Sequence, residues 1–398
     1  MSDERKEKHV PAPEGKREAA RQKEDPGGRL RQFGNFLLVL IVVLGVVALA
    51  AYRDGTGFDM LRRYLNYGRP SEAGGEVLYD YDASGKNRFA VLGDYLAVLS
   101  DTSRRLLDKN GGEAWSEQVN MSAPALSTCG SRAVAYDVGG TALYVADQSG
   151  VLLELTANDG EHFIAATLNE DGWLAVTSEK RGCKGCVSVY NSSLSLVFAF
   201  ESRSRFVLDG CVTGGRLAAV TLGQEGGVFV SNVVLYELTK EEPSADYDIT
   251  GGLVVAIGQQ DGLLAAVSDN CLTYATSGGE VTASYNYTGS YLREYDLAGD
   301  GFTALLLNRY RSGSLGRLVT VDTKGRELGS LEIREEVLSI SAAGKYLGVL
   351  YADRLVIYNQ DLQTYATLQG ADFVQEVLMR PDGSALLISA ESAGLFLP

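Results

Sequence analysis

Eight times between Glu76 and Pro398 the chain repeats a short, almost wholly apolar run entered from a turn. The plainest copies are DYLAVLSD from Asp94, GWLAVTSE from Gly172, GRLAAVTL from Gly215 and GLLAAVSD from Gly262; the others begin near Ser131, Gly301, Lys345 and Gly383. Their spacing runs from 37 residues (Asp94 to Ser131) to 47 (Gly215 to Gly262), a period that belongs to solenoids and propellers. Each unit keeps one order: a first strand, a Gly or Asp turn, the apolar run, a third strand such as LVTVD (318–322) or LVIYN (355–359), then a turn and a more polar fourth strand. Four strands per unit of about 40 residues describe a β-propeller blade. Helical repeats would show a 3.6-residue period instead.

The second strand is short and apolar throughout because neighbouring blades cover both of its faces; a strand with one wet face would alternate. No copy can bury itself alone, so the copies must pack on one another. The fold class is therefore all-β, an eight-bladed β-propeller, with seven blades as the alternative. The last unit offers only FVQEVLM, SALLISA and AGLFLP, while EVLYDYD (76–82) stands unpaired ahead of the first unit. That segment is expected to supply the outer strand of the eighth blade, pairing the ends of the ring and removing two open edges. The 46 glycines, against 8 prolines, suit the many tight turns this demands.

A different stretch bears on location. Gln32 to Tyr52 is uncharged and includes FLLVLIVVLGVVALAAY from Phe36. As a helix it spans roughly 30 Å, the thickness of a bilayer's hydrocarbon core. Before it, residues 1–31 hold 9 Lys/Arg and 7 Asp/Glu and few large apolar side chains, and read as a disordered tail. Cleavage after Ala48-Leu49-Ala50 is the alternative to an uncleaved anchor. Basic residues favour a cytoplasmic N-terminus: Arg17, Arg21, Lys23, Arg29 and Arg31 precede the span, and Arg53, Arg62 and Arg63 follow it. The expected organisation is a tail (1–31), a transmembrane signal-anchor helix (32–52) inserted in the lipid bilayer, a juxtamembrane helix and hinge (53–75) and an extracytoplasmic propeller (76–398) at the cell membrane. Phe58, Leu61 and Leu65 share the face of that short helix. The net charge of −15 for the whole chain repels nucleic acid, so none is expected as a partner.

Two resemblances follow from these residues. LLDKNGGEAWSEQV (106–119), with Asp108, Gly111 or Gly112, and Trp115, resembles the repeat of quinoprotein-type propellers; VTVDTKGRELGSLEI (319–333) is similar without the Trp. The Gly-His and Trp-Asp signature of WD repeats is absent, so the resemblance is to a degenerate PQQ-like or WD40-like propeller. The succession of charged tail, span, short helix and propeller resembles an uncharacterised family of single-pass, membrane-anchored propellers of clostridia and other Firmicutes, domain of unknown function 5711. That resemblance implies the fold and the anchor and no activity.

Chemistry has few candidates. His9 and His162 are the only histidines, which leaves Ser-His-Asp triads and two-histidine metal sites almost without members. Cys183 and Cys186 form a C-x-x-C at the turn between second and third strands of the third blade. Zinc would need a second pair, and a local disulfide is the possibility considered for them, beside two free thiols. Trp115 and Trp173 are the only tryptophans, too few for the framework of a quinone enzyme. No cofactor, metal or catalytic residue is expected.

The leading expectation is a non-catalytic binding or scaffold module for an envelope protein or ligand. Recognition or hydrolysis of an envelope carbohydrate or peptide in the axial channel, or a single-pass sensor, are the alternatives. NRYRSGSLGR (308–317) gathers Arg309, Tyr310, Arg311 and Arg317 in an otherwise acidic protein, and is the candidate partner contact. GQEGGVFVSN (223–232) occupies the corresponding place in another blade and reads as irregular.

Overall fold

Each apolar run forms the second of four antiparallel strands in a sheet, and eight such sheets hold all 32 strands of the described residues. These come from a computed structural model, which describes residues 35–47, 59, 62, 63, 67, 76–249 and 252–398. Blade one runs outward from the axis as Arg88–Leu92, Tyr95–Leu99, Ser103–Leu107 and Glu113–Gln118. Blades two to eight repeat the order from inner strands Pro124–Cys129, Phe163–Leu168, Phe206–Thr213, Val254–Gln260, Tyr291–Gly299, Val337–Ala343 and Glu376–Met379. The ring therefore has eight blades, and the seven-bladed alternative is set aside.

Blade eight is composite. Its first three strands are Glu376–Met379, Ala385–Ile388 and Ser392–Phe396, and its fourth is Glu76–Asp80. Val77 pairs with Gly394 and Tyr79 with Ala393, so strands from opposite ends of the repeat region share one sheet.

Burial follows position in the blade. The second strands Leu263–Ser268, Phe302–Asn308 and Tyr346–Tyr351 are buried almost residue for residue, whereas the fourth strands Glu113–Gln118 and Val281–Asn286 are largely exposed. Between blades six and seven, Phe302, Leu306 and Leu318 meet Leu347, Val349 and Val356. Across the closure, Tyr79, Leu386 and Leu395 meet Leu96, Val98 and Leu107. Each such side chain contributes about 1.5–3 kcal/mol through burial.

Two features of the strand pairing position functional surfaces. The inner strands of blades three to seven all start with a register shift, at Phe163/Ala165, Val207/Asp209, Val254/Ala256, Leu292/Glu294 and Val337/Ser339. An extra residue there re-aims the side chains that follow it. In blade four the second and third strands, Arg216–Glu225 and Val228–Glu237, pair without a break out to Glu225 and Val228. Residues 223–232 are thus a long hairpin rather than an irregular connection. Gly226 and Gly227, at φ +57° and +86°, supply the two left-handed residues that a tight turn matched to strand twist requires.

The chain divides into residues 1–58 and 59–398. In the first unit residues 35–47 are helical, and from Phe36 to Val47 their large apolar side chains are exposed. Among the described residues no helix is long and apolar enough to cross a membrane. The ends of the span read over 32–52, namely 32–34 and 48–52, lie outside the described residues, as do the tail 1–31 and the hinge 68–75. Of the short helix read after the span, Asp59, Arg62, Arg63 and Tyr67 are described, all four helical, whereas Phe58, Leu61 and Leu65 are not among the described residues.

Candidate functional site

The inner strands enclose an axial cavity of about 840 Å³ lined by all eight blades, from Gly93 of blade one to Pro381 of blade eight. Its lining includes the turns from first to second strand: Gly130, Glu170, Asp261, Asp300 and Gly344. One end of the ring, here the near face, carries those turns and the turns from third to fourth strand. The far face carries the turns from second to third strand and the connections between blades.

Inner strands are sheet edges, and their free N–H and C=O groups need partners. Side chains from adjacent blades supply them. Asp296 of blade six accepts from Ala342 N of blade seven (2.7 Å) and from Ala298 N (2.8 Å), and Glu294 accepts from Ile340 N (3.1 Å). Asp209 of blade four accepts from Gly210 N (2.7 Å), from Thr167 Oγ1 of blade three (3.4 Å) and from Ile257 N of blade five. Met379 N donates to Ser341 Oγ (3.0 Å), and Asn169 Nδ2 donates to Val212 O (3.1 Å). Burial raises these carboxyls towards neutrality, Asp209 to about 6 and Glu294 to about 7, with Asp296 and Glu376 also raised. The register shifts set Asp209 and Glu294 on the inner strands that wall the axis, where they bond between blades while Asp296 lines the cavity itself; irregular spacing hid them in the sequence.

At the near face the segment before the propeller is clamped to blades seven and eight. Arg63, 4% exposed, donates to Asp382 O (2.6 Å) and to the Tyr365 hydroxyl (2.7 Å). The Tyr346 hydroxyl donates to Asp59 Oδ2 (2.8 Å), and Arg380 Nη1 donates to the Tyr67 hydroxyl (2.7 Å). Gly383 lies beneath, at φ +82°, where a Cβ would stand 2.8 Å from Arg63 Nη1 and 3.0 Å from the Tyr346 ring. Gly383→Ala is expected to lower stability by about 1–2 kcal/mol through backbone strain. Lifting the clamp should also speed tryptic cleavage after Arg62 and Arg63 in the native protein; an unchanged cleavage rate would refute the clamp.

The far face has a different chemistry. Phe206, Val255, Tyr291 and Leu338 stand exposed at the starts of inner strands of blades four to seven, and Phe373 stands on the connection into blade eight. Val228 and Phe229 at the tip of the blade-four hairpin, with Tyr310 and Leu315 on the blade-six turn, extend the same sector. By the same measure the near face carries only Leu196 and Val281, at the starts of the fourth strands of blades three and five, and no exposed large apolar side chain among the described residues lies on its turns themselves.

The arginine-rich stretch divides between two environments. Arg309, Tyr310 and Arg311 occupy the far-face turn, Arg309 3.6 Å from Glu332 and the Arg311 guanidinium 5.8 Å from the Tyr291 ring centre. Arg317 is separate. It lies in the third strand, donating to the Tyr285 hydroxyl (3.1 Å) and Glu327 (3.4 Å), and so ties the outer strands of blades five and six. Cys183 and Cys186 are both free thiols: Cys183 Sγ points to Glu201 from the turn, and Cys186 Sγ lies near Ser188, its pKa raised by burial. His162 Nδ1 lies 2.6 Å from Glu179 Oε2 at an exposed site. Among the described residues no group of three or more His, Cys, Asp or Glu is arranged to hold a metal ion. Sequence reasoning reached Phe229 only as part of the stretch 223–232 and missed Phe373 altogether.

Eight four-stranded blades around an open axis define a β-propeller of the degenerate-repeat class. Residues 74–364 match the family of unknown function DUF5711, and the chain belongs to that family. Among solved structures it is similar to BamB from Moraxella catarrhalis, at 12% identity over 81% of this chain and 99% of that one, with a TM-score of 0.52. It is also similar to the quinohemoprotein alcohol dehydrogenase ADHIIG from Pseudomonas putida HK5, at 10% identity over 80% of this chain and 72% of that one, with a TM-score of 0.51. At those identities the likeness is one of fold. No curated protein matches the chain.

Proposed function

We propose that the chain is a membrane-anchored, extracytoplasmic propeller that binds an envelope protein through its far face and performs no catalysis. The observation that carries this reading is the concentration on the far face of exposed Phe206, Phe229, Val255, Tyr291, Tyr310, Leu338 and Phe373. A concentrated apolar surface of this kind marks an interaction site, whereas singly scattered apolar residues carry no meaning. The near face holds Asp59, Arg63 and Tyr67, so a partner reaches the far face without displacing them. The wall carboxylates serve as acceptors between blades, which accounts for their presence without a reaction. The apolar run 32–52 and its basic flank support the anchor and its orientation.

In cells, a photocrosslinking residue at Phe229 or Tyr310 is expected to give discrete protein adducts, and one at Lys240 on the near face none. Equal labelling at both faces, or none at either, overturns the reading. For the orientation, a membrane-impermeant maleimide is expected to label Lys109→Cys in intact cells above the parent background and to leave Ser2→Cys unlabelled; the opposite pattern reverses the topology.

The cavity of about 840 Å³ supports a second reading, recognition of an envelope saccharide or peptide in the channel. Protection of the channel-facing Gln259 and Asp300 from exchange or modification by such a ligand, in the absence of any far-face adduct, would favour it.

A further inference from the structure

Phe373 is the most exposed large apolar residue among the described residues, at 89%, and its backbone sits at φ +72°, a region costly for any side chain with a Cβ. The loop that holds it is ordered on both sides: Gly370 N and Ala371 N donate to Asp353 O, Val374 N donates to Ala371 O, and Gln375 N donates to Ile388 O. Backbone strain held by its surroundings, with a phenyl ring presented to water, has no counterpart in folding energetics and points to use. Beside the ring runs a groove of about 520 Å³ between blades seven and eight, with Leu338 on one wall and Phe373 on the other.

The charge around this groove selects an occupant. Glu391 lines it and Asp372 immediately precedes Phe373 in the chain, and among the described residues neither has an ion-pair partner. The nearby Arg354 is engaged by Glu335 and Asp353, and Arg293 by Glu336. The chain as a whole carries −15.

We propose that this groove takes one large apolar side chain of a protein segment that carries lysine or arginine on either side of it. This rests on the reading of the far face as a binding surface and specifies where and by what chemistry. The aromatic ring and Leu338 form the apolar pocket, and the two free carboxylates receive the flanking cations. An anionic lipid surface is disfavoured by the same carboxylates.

The test uses the full chain in neutral detergent and two labelled peptides: a basic one of alternating Lys-Phe-Lys-Leu units, and its counterpart with glutamate for lysine. The basic peptide is expected to bind at least tenfold tighter than the acidic one. Phe373→Gly should weaken it at least tenfold while leaving the melting temperature unchanged or higher, because glycine relieves the left-handed backbone. Asp372→Asn with Glu391→Gln should remove the preference for the basic peptide. Equal binding of both peptides, no loss in Phe373→Gly, or a melting temperature several degrees lower in that variant would each overturn the proposal. So would tighter association with phosphatidylglycerol vesicles than with the basic peptide. If Phe373→Gly leaves the far-face crosslinked adducts intact, the groove fails and the binding module stands; absence of all adducts removes the module itself.

Discussion

Tyr79→Ala is expected to lower the unfolding free energy by about 3–5 kcal/mol, the cost of emptying a large buried site. Tyr79 is fully buried in the core joining blades eight and one, and it sits on the strand that closes the ring. Its loss also takes a partner from Arg380, 3% exposed, whose Nη2 lies 3.5 Å from the Tyr79 hydroxyl. Most domains are stable by only about 5–15 kcal/mol, so the variant should unfold at a markedly lower denaturant midpoint. Tyr79→Phe keeps the ring and should cost about 1 kcal/mol. Val281→Ala, on an exposed outer strand, should fall within about 0.5 kcal/mol of the parent. Urea titrations of the three variants check the order. A Tyr79→Ala cost below about 1 kcal/mol would mean that the ring is not locked by its first strand.

Mild acidification is expected to stabilise the propeller. Glu294 is raised to about 7 and Asp209 to about 6 by burial, and Asp296 and Glu376 are raised as well. In the unfolded chain such groups titrate near 4, so the folded state holds more protons between about pH 4 and pH 7. Their contribution is complete below the unfolded value and is lost as pH rises through the folded one. Because the four groups are only partly buried, the gain from pH 7.5 to 5 is on the order of 1–3 kcal/mol in total. Carboxyls held low by partners, such as Asp322 beside Arg326 and Glu201 beside Lys180, act in the opposite sense and only below about pH 4.5. The melting temperature should therefore rise from pH 7.5 to 5 and fall below 4, with Glu294→Gln flattening the upper limb. A melting temperature that falls steadily from 7.5 would contradict the wall assignment.

What the sequence revealed and what it hid have a common physical origin. Runs such as LLAAVS (263–268) are apolar because both faces are covered, so burial was legible in composition alone, and the eight blades followed from counting. The far-face residues are not legible in that way. Phe373 looks like a core residue until the topology puts it on a connection, and Phe229, within a stretch that reads as irregular, proves to stand at the tip of a long hairpin. Arg317 stood with Arg309 and Arg311 in the chain, yet strand geometry turns it to Tyr285 while they remain on the turn. Asp209 and Glu294 follow register shifts that no periodicity announces. Arg63 read as a membrane-flanking charge, and it is buried by contacts to residues more than 300 positions away.

The pairing of Tyr79 with Ala393 sets a clock on biogenesis. A ribosome adding about 5–20 residues per second needs roughly 15–60 s to travel from one to the other. For that interval the early strand has no mate, and the last blade cannot assemble before Phe396 has emerged. Closure of the ring must then wait for the strand Ser392–Phe396, and a product stalled before it should present a vacant sheet edge to chaperones and proteases.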